Sequence, residues 1–179
     1  MQYYGGREMA IGFRTVRSNT ITMAQEIDEQ HYGFRPAPDV RSIGELLVHI
    51  AFVPRLQEHV HQHGVADLAQ INFPQFIAGL GAEERTPRNK AQIVELLKAE
   101  GEKYATYLEG LTEAFLAEQV AMPPGDPRRS KSRFEMLISP KEHEMHHRGQ
   151  LMLAQRLIGL VPHMTRARME RAARAAQAR

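Results

Sequence analysis

Apolar side chains recur every three or four residues along most of the chain, the period of an amphipathic helix, and turn residues cut the pattern into four long segments. The first runs from Glu8 to His31, with Met9, Phe13, Val16, Thr20, Met23 and Ile27 on one stripe, and Gly33, Pro36 and Pro38 close it. The second opens at Ser42, which pairs with Glu45 in a capping-box pattern, and continues to His63 before Gly64. Residues 64–86 contain Pro74, Gly79 and Gly81 and read as a connection long enough to cross between distant helices. The third helix is expected to start with Thr86 as N-cap and Pro87 at its first position. It turns Ile93, Leu97, Tyr104 and Leu111 inward and has a short apolar continuation to Val120. Prolines 123, 124 and 127 with Gly125 make Met122 to Lys131 an exposed loop. A second capping box, Ser132 with Glu135, starts the fourth helix, which extends to Leu157 ahead of Gly159 and Pro162.

No segment alternates as a strand would, and there is no internal repeat. The fold expected is all-α, a four-helix bundle with a long connection between helices 2 and 3, whose sites are built from side chains pointing into its middle. At 179 residues the chain suits one domain. Residues 1–162 form the expected bundle. Residues 163–179 form a tail rich in arginine and alanine, with Glu170 as its acid, which is a fifth helix or a frayed end. Pro54 and Pro140 fall inside helical segments, where each deletes a backbone hydrogen bond and bends the rod.

Composition narrows the chemistry. The net charge of +2 gives no support to a general nucleic-acid surface, so nucleic acid is not an expected partner. Cysteine is absent, which removes disulfides, thiolate ligands and cysteine nucleophiles together, so any metal must be held by nitrogen and oxygen. Residues 1–14 lack the apolar run of a signal peptide and no segment approaches a membrane span, so a cytoplasmic location is expected.

Nine histidines are many for this length. His143 and His147 lie one helical turn apart on the stripe Met136, Pro140, His143, His147, Leu151, Ala154, Ile158, so both rings can reach one ion, whereas His146 lies off that line. A lone inward histidine is usually a hydrogen-bonded core residue, but two inward rings one turn apart with no carboxylate on their stripe are harder to satisfy without an ion. His49, on the apolar face of Leu46, Val53, Leu56 and Val60, offers a third ligand. Three neutral imidazoles leave coordination positions open, as catalytic metal sites do. Glu45 is better read as a capping residue than as a fourth ligand. His59, His61 and His63 close a helix at Gly64 and read as surface residues near the negative end of its dipole. Gly149, inside a helix, points to close contact with another helix, and Gln150 to a group that orients a ligand or meets a buried polar atom.

The segment His143-Glu144-Met145-His146-His147-Arg148-Gly149-Gln150 resembles the H-x-x-x-H-R-G-Q signature of DinB/YfiT-like proteins, and Ile43 to Ile50 resembles their first ligand-bearing helix. The likeness spans roughly Ile11 to Gly159. It implies a four-helix bundle in a mirror variant of up-and-down topology, a divalent metal on His49, His143 and His147, and a homodimer. Zinc or nickel comes first for such a donor set, with iron or manganese after them. The implied function is that of a metal-dependent enzyme, a hydrolase or a transferase using a low-molecular-weight thiol, acting on a small molecule. The competing expectation is a metal-binding or stress-related protein without turnover, and a roomy pocket beside the three histidines separates the two.

Overall fold

In a computed structural model whose described residues are 4–177, the four apolar stripes become four rods around a shared core. Helix α1 (Gly6–Glu26) buries Met9, Phe13, Val16, Thr20 and Met23 along the expected line. It stops short of His31, because Ile27 turns extended and residues 29–31 form a separate 3-10 turn. Helix α2 (Ile43–Phe52) starts from the Ser42 and Glu45 capping box. The single helix expected over 42–63 is divided: α3 (Pro54–Gln62) follows after Val53, because Pro54 cannot donate to the carbonyl of Ile50.

The stretch read as connection, residues 64–86, carries a helix of its own, α4 (Phe73–Glu84), capped by the Asn72 side chain with Pro74 in the first turn. None of its residues is fully buried. Helix α5 (Lys90–Glu109) is capped by Asn89 in a reciprocal box with Gln92, not by Thr86, and Thr86 and Pro87 stay in the loop before it. The expected continuation to Val120 is a short helix, α6 (Glu113–Ala117), and then a strand. Strands β1 (Gln119–Ala121) and β2 (Ser130–Ser132) pair antiparallel, with Val120 opposite Lys131 and fully buried. Three-residue strands are too short to alternate visibly; the pairing itself makes them. Helix α7 (Arg133–Leu157) starts from the Ser132 and Glu135 box and runs unbroken through Pro140. The Tyr104 hydroxyl donates to the Leu137 carbonyl at 2.7 Å, in the turn before that proline.

Rods α1 and α2 each pack against both α5 and α7. The order around the bundle is therefore α1, α5, α2, α7, and rods consecutive in sequence face each other across a diagonal in two of three steps. The core has a cluster of Met23, Ile27, Leu47, Ile50, Leu97 and Leu151, another of Phe13, Tyr104, Leu108 and Leu137, and a smaller third of Val60, Leu68, Val120 and Met136. Each such side chain contributes about 1.5–3 kcal/mol on burial, so apolar packing is the main force that draws the rods together. Helix α8 (His163–Gln177) buries no residue and is tied on by polar contacts, Arg166 with Glu26 at 2.5 Å and His163 with Asn19 at 3.1 Å. Arg179, part of the basic tail, lies outside the described residues. Among those described, no helix is long and apolar enough to cross a membrane.

Candidate metal centre

His49 sits in the last turn of α2, and the diagonal packing sets α2 directly beside α7, where His143 and His147 share one face. Nε2 of His143 lies 3.1 Å from Nε2 of His49 and 2.8 Å from Nε2 of His147. The ligand atoms of all three lie within 4.8 Å of one another, and the set could hold a metal ion.

Hydrogen bonds behind the rings define what the inner nitrogens can do. Nδ1 of His49 is 2.9 Å from a carboxylate oxygen of Glu84, and Nδ1 of His147 is 2.8 Å from the side-chain oxygen of Gln150. Each Nδ1 therefore carries the proton and donates, and each Nε2 is a lone pair aimed inward. A single proton on Nε2 of His143 cannot satisfy two acceptors, so the cluster has more lone pairs than hydrogens. A cation resolves that imbalance, and the residues fit a divalent metal. A carboxylate or amide behind a ligating imidazole is also how metal sites orient their ligands.

Desolvation and the adjacent imidazoles of His147, His49 and His146 push His143 down to about 4, although the residue as a whole is exposed. Burial likewise lowers His147, against the opposing effect of its bond to Gln150. Both rings are thus neutral near pH 7, the form that binds metal.

The cluster opens on a cavity of about 990 Å3 between α2, α3, α4 and α7, with His49 and His143 in its wall. Val48, Phe52, Leu56, Ile77, Leu80 and Ile93 supply apolar surface, and Arg41, Arg85 and Arg88 bring positive charge. Arg88 is held by the carbonyls of Glu83 and Thr86 at 2.9 and 3.0 Å, so it is a fixed feature of the cavity.

Other expected residues fall as follows. His146 stays outside the cluster, exposed and 3.2 Å from the Gln150 amide. Glu45 caps α2, accepting from the Ser42 backbone, and pairs with Arg35, so it is no ligand. His61 is not a surface residue: it is 2% exposed, with Arg133 donating to Nδ1 at 3.0 Å and Nε2 donating to the Gln57 side-chain oxygen at 3.1 Å. Burial first and Arg133 second push it down to about 4. The His59 and His63 rings lie 4.8 Å apart, tilted by 49°, and neither joins a cluster of three ligands among the described residues. Gly149 meets no neighbour within 4 Å, so no close helix contact inside the chain explains it. Glu84 was hidden in the stretch read as connection. Its signal was there in Asn72 and Pro74 as a helix start, followed by Phe73, Phe76, Ile77 and Leu80 at helical spacing.

A sequence model of the DinB superfamily matches residues 13–151. The chain belongs to the DinB superfamily. YjoA of Bacillus subtilis strain 168 is 29% identical to it over 147 residues, 82% of this chain and 86% of YjoA. The crystal structure of YjoA, a DinB-like protein, superposes with a TM-score of 0.61 over 85% of this chain and 92% of that one, at 24% identity. YfiT of the same bacterium, described as a probable metal-dependent hydrolase with an unusual four-helix bundle topology, gives 0.66 over 87% and 88% at 11% identity. At these identities the solved structures establish the DinB-like fold alone.

Proposed function

We propose that this DinB superfamily protein is a metal-dependent enzyme acting on a small molecule held in the cavity beside His49 and His143. The observation that carries this reading is the opening of the three-histidine set onto about 990 Å3 of partly apolar space. A site serving only to store or sense an ion needs no such room, and this stands against the non-catalytic alternative. His49, His143 and His147 would hold the ion, with Glu84 and Gln150 keeping their rings in the ligating tautomer. When bound, a divalent metal supplies Lewis-acid polarisation and lowers the pKa of a coordinated water or thiol. Val48, Phe52 and Leu80 would exclude water from an apolar part of the substrate, and Arg41 and Arg88 would orient an anionic part.

The hydrolase description of YfiT supports hydrolysis, and transfer from a low-molecular-weight thiol is the second chemistry for the same site. Three imidazoles suit zinc or nickel, then iron or manganese. A cytoplasmic setting fits a chain without cysteine. The test is metal analysis of protein purified without a nickel column, followed by a screen of esters, amides and thiol–electrophile pairs with His143→Ala as control. Turnover that His143→Ala abolishes supports the reading. Stoichiometric metal with no turnover across the screen favours the non-catalytic alternative.

A further inference from the structure

Arg17 and Glu144 are 3% and 0% exposed, inside a bundle whose core is mainly apolar. Nε of Arg17 donates to both carboxylate oxygens of Glu144 at 3.0 Å, and Nη2 lies 3.0 Å from one of them. The remaining donors reach two backbone carbonyls, Nη1 to Leu97 at 2.8 Å and Nη2 to Ile50 at 3.1 Å. One guanidinium on α1 therefore grips α2, α5 and α7.

Two of these three partners are sequence neighbours of the metal-centre histidines. Glu144 follows His143 and precedes His147 by three residues, and Ile50 follows His49. Two helix irregularities serve the same contact. The Ile50 carbonyl is the one that Pro54 leaves without its helical donor, and Arg17 supplies the missing hydrogen bond. At Gly101 a Cβ would stand 2.7 Å from Cγ and 3.0 Å from Nη1 of Arg17, so only glycine lets the side chain lie along α5 and reach Leu97. We propose that Arg17 and Glu144 are a positioning pair that holds His49 on α2 in register with His143 and His147 on α7, an inference that rests on the metal-centre reading. A buried ion pair adds little net stability over apolar residues of similar volume. What it adds here is a fixed distance and rotation between the two ligand-bearing rods.

The test uses the full chain, the double variant Arg17→Met with Glu144→Leu, and the single variant Gly101→Ala. Cobalt(II) is titrated into each, with its visible spectrum as a report on ligand geometry, and thermal melting is followed in chelator. The double variant is expected to melt close to the parent without metal, to bind cobalt at least ten-fold more weakly and to show altered visible bands. Gly101→Ala gains helix propensity yet displaces Arg17, and its cobalt affinity should fall in the same direction. Parent-like affinity and spectrum in a folded double variant overturn the proposal, and if that variant does not fold, parent-like binding by Gly101→Ala does so. A parent that takes up no cobalt overturns the metal-centre reading itself, and the pair's role with it.

Discussion

Replacing Glu84 by Ala removes the carboxylate 2.9 Å behind His49 and touches no imidazole. With the acceptor gone, the His49 ring loses the bond that fixes its tautomer and raises the basicity of Nε2. Partners of this kind are worth about 10- to 100-fold in metal affinity, or about 1.4–2.7 kcal/mol. Stability responds differently, because two effects oppose each other. Losing the hydrogen bond costs about 0.5–1.5 kcal/mol. Glu84 is also the last residue of α4, where a negative charge is unfavourable by about 0.3–1 kcal/mol, and its pairing with Arg41 at 3.7 Å is partly exposed and weak. The net is below about 1 kcal/mol, a shift of about 2–4 °C at most for a chain of this size. Glu84→Gln keeps an oxygen acceptor without the charge and should fall between parent and Glu84→Ala. Cobalt titration against a competing chelator, with melting of the metal-free proteins, separates the two quantities. Parent affinity in a folded Glu84→Ala variant would refute the assignment of Glu84 as the group that orients His49.

Changing His49, His143 or His147 to Ala should each cut metal occupancy sharply and leave the bundle folded, whereas His146→Ala and His59→Ala retain metal; full occupancy in any of the first three sinks the ligand set. His61 titrates near 4 in the fold and near 6.5 when unfolded, so between those values the unfolded chain binds more protons. Its contribution, on the order of 3 kcal/mol, is complete above about pH 6.5 and is lost as pH falls towards 4; melting of metal-free protein against pH should show a steeper slope for the parent than for His61→Gln. Truncation after Pro162 removes a helix with no buried residue and exposed or half-exposed ties worth about 0–1 kcal/mol each; the remainder should stay folded and metal-loaded, and a large fall in melting temperature would show that α8 docks. Family resemblance predicts a homodimer, which sedimentation at micromolar concentration checks directly; a monomer mass removes that expectation.

What the sequence determined by itself is whatever rests on interactions within a few residues. The Ser42 and Glu45 box and the Ser132 and Glu135 box close over three residues, so the starts of α2 and α7 were legible. The turn between His143 and His147 fixes their shared face, and the apolar stripes place α1, α5 and α7 because burial follows the helical period. Where local signals competed, the prediction slipped: Thr86 with Pro87 and Asn89 with Gln92 are both reasonable helix starts, and the second has the reciprocal hydrogen bonds. Tertiary structure alone decided the rest. Helix α4 has a legible start at Asn72 and Pro74, but its place against α2, which brings Glu84 to His49, comes from packing. The short strands exist through their pairing across the proline-rich loop. His61 is buried by packing, and Arg133, 72 residues away, donates to its ring there. Glu84 meets His49 across 35 residues, and Arg17 meets Glu144 across 127. No spacing rule encodes such pairs, since their geometry is set by how the rods pack. Pro54 and Gly101, which local propensity reads only as defects in a helix, acquire a purpose once Arg17 is seen lying between them.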